Sequence, residues 1–122
     1  MQDLSVDQVI ALHAAIIAQD GGDGRIISEA NMHEMVFRAN LTAGPVERAA
    51  LALWSLVAYP VFREGNHRTA QKLAIEILAQ EGYRIPGEDA AGLEHLARGI
   101  ETFEVEPEDI TAWLLTYAGK EE

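Results

Sequence analysis

The chain is predicted to fold as a single all-α domain, and three observations carry that expectation. Apolar residues recur at a spacing near 3.6, helix-starting and helix-ending residues punctuate the whole chain, and no segment alternates as a half-buried strand does. At 122 residues it has the length of one domain, 1–122, and with 48% apolar residues it can close a hydrophobic core without staples. There is no internal repeat and no low-complexity tract.

About six helices are expected, in this order. Ser5 and Gln8 form a capping-box pair, and Val9, Ile10, Leu12, Ile16 and Ile17 then fall largely on one face. That first helix should run to about Gln19 and stop at Gly21-Gly22. The stretch Asp20 to Ile27 holds three glycines and two aspartates and reads as a turn, with Ile26-Ile27 at most a short extended piece and not a sheet. Ser28 caps a second helix that buries Met32, Met35 and Val36 and ends near Asn40. Pro45 opens a third, rich in Ala, Leu and Val with Trp54, and charged only at Glu47 and Arg48; so apolar a helix belongs at the centre.

Pro60 should end or kink that helix, and Gly65-Asn66 form the next break. Thr69 to Gln80 shows helical spacing again, with Leu73, Ile77 and Leu78 facing inward, Ala70 and Ala74 at close-packing positions, and Gly82 past the end. Two more helices follow, roughly Glu88 to Glu101 and Pro107 to Ala118. Trp54, Phe103, Trp113 and Tyr117 sit at core-like spacings, while Glu106, Glu108 and Asp109 form a solvated, dipole-complementing first turn.

Charge and composition exclude several functions. Nine basic against twenty acidic residues give a net charge of −11, which repels a phosphate backbone, and no Lys/Arg cluster offsets it. Direct nucleic-acid binding is disfavoured, whereas a basic partner, or a small anion at one exceptional spot, is compatible. The absence of cysteine excludes a disulfide framework, a thiolate zinc site and a cysteine nucleophile, and fits a reducing compartment. Met1-Gln2-Asp3-Leu4 shows no signal-peptide pattern. The longest apolar run, Ala49 to Phe62, is broken by Ser55 and Pro60 and is too short for a bilayer. A cytoplasmic protein without a membrane segment is expected.

The four histidines are the next candidates. His33-Glu34 begins like a zinc-protease helix, but Phe37 stands where the second histidine is needed. His13 and His95 lie in regular amphipathic helices and read as packed or surface residues. The segment Phe62-Arg63-Glu64-Gly65-Asn66-His67-Arg68 differs, because it puts a tight polar connection at the start of a helix. The first N–H groups of a helix have no intrahelical partner and favour an anion. Gly65 would let a phosphate come close, Arg68 would clamp it, and Glu64 would hold a magnesium ion against it. On spacing alone the same residues also suit an ordinary interhelical turn, with Gly65-Asn66 taking the unusual dihedrals and Glu64 as a cap.

Pro60 to Arg68 resembles the signature of the Fic/Doc family, His-x-Phe-x-Asp/Glu-Gly-Asn-x-Arg, and the Thr69-Ala70 that follows is typical of it. Ser5 to Ile16 with Ala11-Leu12-His13, then Asp20-Gly21-Gly22, Ser28-Glu29 and Leu78 to Tyr83, are similar to Doc-type (death-on-curing) toxins over essentially the whole chain. The resemblance implies a small helical protein that uses ATP or another nucleotide with Mg2+. Most relatives move AMP to a protein hydroxyl; the Doc branch phosphorylates a translation factor, elongation factor Tu. It further implies Gly65, Asn66 and Arg68 as the phosphate cradle, Glu64 as the magnesium ligand and Phe62 as the residue packing the loop into the core. A target-aligning flap within Gly21 to Ile27 is also implied, as is an antitoxin peptide in the active-site groove. One position departs from the pattern: the family's catalytic histidine falls on Pro60, which has no proton-accepting side chain. His67, at the variable position before the arginine, is then the candidate catalytic base, since Tyr59 is out of register and a poor base near neutrality.

Overall fold

In the computed structural model, which describes residues 1–121, the chain is all-helical. The six helices are α1 (Val6–Asp20), α2 (Glu29–Leu41), α3 (Pro45–Ala58), α4 (Asn66–Gln80), α5 (Ala91–Glu101) and α6 (Pro107–Tyr117). The expected starts are visible as capping chemistry. Ser5 accepts from the Gln8 N–H at 3.0 Å and Ser28 from the Asn31 N–H at 3.1 Å. Asp109 reaches back to the Glu106 N–H at 2.9 Å, so the acidic turn of α6 caps the helix as well as complementing its dipole.

The apolar third helix is central, as its composition requires: α3 packs against α2, α4, α5 and α6. Ala49, Ala52, Leu53 and Leu56 on it are fully buried, and they join Leu73, Ala74 and Leu78 of α4, Leu93 of α5 and Leu114 of α6 in one contiguous cluster. Each of these leucine side chains contributes about 1.5–3 kcal/mol by leaving water. Alanines on α3 and α4 let the two backbones approach, and that contact carries the loop of residues 59–65, which connects these same helices.

Several elements differ from the sequence expectation. Two-residue strands β1 (Tyr83–Arg84) and β2 (Gly119–Lys120) pair antiparallel, with Tyr83 opposite Lys120. Pieces this short carry no alternation to read, and the lysine lies over the tyrosine ring, 5.7 Å from its centre. α4 begins at Asn66, ahead of Thr69, while α5 begins only at Ala91, after a 3-10 turn at Gly87–Asp89. Phe103 is not core: it is 91% exposed, at φ 63. The chain reverses there so that Glu104 and Val105 both donate to the Gly99 carbonyl, and Val105 packs on Gly99 instead. Tyr117 is 40% exposed, tilted against the half-buried Trp113. No helix among the described residues is long and apolar enough to cross a membrane.

Candidate functional site: the α3–α4 loop and its groove

The loop after α3 is built by hydrogen bonds to a segment far away in sequence. Ile27 and Ser28 donate to the Val61 carbonyl at 2.8 and 3.1 Å, Arg63 donates to the Arg25 carbonyl at 2.9 Å, and Ile26 and Phe62 form an antiparallel bridge. Val61 and Phe62 are buried, so Phe62 does pack the loop into the core. The Ile26-Ile27 piece is thus extended and paired with the motif loop, within the stretch where a flap was expected.

Asn66 turns its side chain inward. Its Oδ1 accepts from Val61 and Phe62 N–H at 3.1 and 3.0 Å, and its Nδ2 donates to the Phe62 carbonyl at 2.6 Å. The amide therefore closes the loop, and the Asn66 backbone N–H stays outside these bonds. Gly65, at φ 86, sits in the left-handed region where a side chain is disfavoured, and it turns the chain into α4. The first helical bond of α4 runs from Thr69 to the Gly65 carbonyl at 3.0 Å, and no side chain caps the helix. The N–H groups of Asn66, His67 and Arg68 precede that bond.

They open on a groove of about 600 Å³, lined by the whole run from Arg63 to Arg68, by Ile16, Ile17 and Asp20 to Gly22 at the α1 end, and by Glu94 and Glu101 of α5. The larger part of its lining is polar. Its cations are already paired. Arg68 Nη1 lies 2.8 Å from Asp20 Oδ2, so an incoming anion would meet that carboxylate beside the guanidinium. His67, half-buried, holds Nε2 at 3.0 Å from Glu101. The carboxylate can only accept, so Nε2 is the ring nitrogen that presents a hydrogen to it. Arg63 reaches Asp23 at 3.6 Å, and Arg25 grips the same carboxylate at 2.6 Å.

Two carboxyl groups titrate low for identifiable reasons. Hydrogen bonds from the Arg25 guanidinium, then from the Arg25 N–H, hold Asp23 down at about 2. The Gln71 amide, 2.7 Å away, lowers Glu94 most, with Arg98 and His67 adding to it against the effect of burial. Glu64 is exposed, and its Oε2 accepts from the Asp23 N–H, which leaves Oε1 for an ion. Among the described residues no three acidic, histidine or cysteine side chains gather as a metal set. A magnesium ion would fit on Glu64 only with phosphate and water oxygens completing its shell.

The Pro60 ring has no proton-accepting atom, and its carbonyl accepts a hydrogen bond from Asn31 Nδ2 at 3.0 Å. His33 and His95 are exposed and outside the groove. His13 is the residue that sequence reasoning passed over. It is 3% exposed, stacks on Phe62 with ring centres 3.5 Å apart, and places Nε2 at 2.8 Å from the Glu64 carbonyl. Its regular place on an amphipathic helix gave no sign of that role, and Asp20, Asp23, Glu94 and Glu101 gave none of theirs. No known protein family and no curated protein matches this chain.

Proposed function

We propose that the groove holds the phosphates of a nucleotide, and that the protein is a Fic/Doc-type, nucleotide-dependent transferase acting on a protein hydroxyl. In this reading it works in the cytoplasm as the toxin of a toxin–antitoxin pair, with a translation factor as target and an antitoxin peptide as its silencer. The observation that carries the reading is the uncapped N-terminus of α4 behind Gly65, with Arg68 in its first turn, opening on a roomy polar groove. The signature-like run Phe62 to Arg68 supports the same chemistry.

ATP with magnesium, when bound, supplies an electrophilic phosphorus. The chain would supply the rest: the first N–H groups of α4 and the Arg68 guanidinium would bind phosphate oxygens, and Glu64 Oε1 would hold the ion. With a nucleotide bound, His67 in its neutral form would take the proton of the acceptor hydroxyl on Nδ1 with Nε2 toward Glu101, and pyrophosphate (AMP transfer) or ADP (phosphoryl transfer) would be the leaving group. Calorimetric titration with ATP, with and without magnesium, tests the site. Binding should depend on magnesium and weaken by about 1.5–3 kcal/mol in Arg68→Ala, the size of a charge-assisted hydrogen bond. Equal affinity in wild type and variant would remove Arg68 from the site.

A second reading, a catalytically silent nucleotide- or phosphate-binding module, is favoured by Pro60 at the position of the family's base. Transfer of label from α- or γ-labelled ATP to proteins of a cytosolic extract separates the two. The transferase reading expects label transfer by wild type, abolished in His67→Ala with ATP affinity unchanged. ATP binding without transfer by wild type leaves the silent module, and full transfer by His67→Ala eliminates His67 as the base.

A further inference from the structure

We infer that His13 is a positioning residue, a buried strut from α1 that fixes the peptide between Glu64 and Gly65 and so sets the mouth of the groove. Four observations converge on it. His13 lies on the buried stripe of α1 between Val9 and Ile16, where an aliphatic side chain would fill the space. A buried imidazole costs free energy unless it is hydrogen-bonded, and its partner is the Glu64 carbonyl at 2.8 Å. Its ring lies nearly parallel to Phe62, at an interplanar angle of 3°. A Cβ on Gly65 would come within 3.3 Å of its Nε2. Three of the seven residues from Phe62 to Arg68 therefore rest on this one side chain: Phe62 on its face, Glu64 on its nitrogen, and Gly65 against its edge.

The consequence for the groove follows from peptide geometry. The C=O and N–H of a trans peptide point in opposite directions. Because the Glu64 carbonyl points at His13, the Gly65 N–H points away from it. A rotation of this peptide would swing the carbonyl dipole toward the side the N–H now faces, and Gly65 is the residue most permissive of such a rotation. The carbonyl can only accept, so His13 donates to it from Nε2. Behind the ring is an apolar cleft of Ile10, Ala14, Ile17 and Ile26, which offers the loop no alternative donor from a side chain.

The inference adds a residue from α1 to the phosphate-site reading, and its first test is independent of that reading. His13→Phe keeps a ring on Phe62 but has no donor; His13→Gln places an amide N–H near the position of Nε2 without the ring. Amide hydrogen exchange reports the loop directly through Arg63 and Thr69, whose N–H groups bond to Arg25 and Gly65 carbonyls. Exchange there should speed up by roughly tenfold or more in His13→Phe, stay within about threefold of wild type in His13→Gln, and be unchanged at Leu53 in both. Calorimetry with MgATP should rank affinities in the same order. Unchanged exchange at Arg63 and Thr69 in His13→Phe would overturn the inference. So would equal acceleration in both variants, since the donor would then not matter. Absence of MgATP binding by wild type, with the exchange pattern as expected, would sink the nucleotide reading and leave the strut standing.

Discussion

Asp23 sits between two guanidiniums, and its behaviour shows how the residues at the groove's edge are tied together. Arg25 holds it bidentately and Arg63 approaches from the loop, so its carboxyl stays ionised down to about 2. A carboxyl depressed in the folded state contributes stability above its unfolded value and loses that contribution as pH falls through the folded one. For Asp23 that window runs from 3.8 down to about 2. Carbon-detected NMR titration of the Asp23 carboxyl should give a midpoint near the lower figure, and Arg25→Ala should raise it toward the upper one. A wild-type midpoint at the ordinary value would mean that Arg25 does not hold the aspartate in solution. At this scale the motif residues were legible as chemistry: a glycine, an arginine and a carboxylate at these spacings suggest an anion site. Their partners were not. Asn66, a cradle residue by resemblance, closes the loop with three side-chain hydrogen bonds that no local spacing foretold.

The element that matters most is the junction between α3 and α4. Pro60 ends the apolar helix because it lacks the N–H that would continue it. Gly65 then opens the next helix from the left-handed region, which explains why α4 starts at Asn66 and not at Thr69. Gly65→Ala should lower stability by about 1–2 kcal/mol in urea unfolding, from the strain of a side chain at positive φ. The new methyl group would also press on His13 Nε2, 3.3 Å from it. An unchanged unfolding midpoint would show that the junction relaxes to another conformation. Caps such as Ser5, Ser28 and Pro45 were readable because they act within one helical turn. The β1–β2 ribbon was not, since its strands lie at opposite ends of the α5–α6 segment and are held by pairing across that distance.

For the whole molecule, the order of packing follows from which helix is most apolar. α3 lies at the centre, α2 and α4 flank it, and α5 and α6 complete the shell. Arg48 on α3 is buried as well, donating to carbonyls of Gln2, Asn40 and Thr42, so the only basic residue of the central helix ties down the N-terminal strap and the α2–α3 turn. By itself the sequence determined the helical class, the approximate extent of every helix, the centrality of α3 and the loop on which the candidate groove is built. Those features depend on spacing and capping over a few residues, which any stretch of chain carries with it. The tertiary structure alone decided the partners: His13 under Glu64, Asp20 on Arg68, Glu101 on His67, and residues 25–28 along residues 61–63. Such pairs depend on which helix faces the packed core brings together, and no local periodicity encodes that choice.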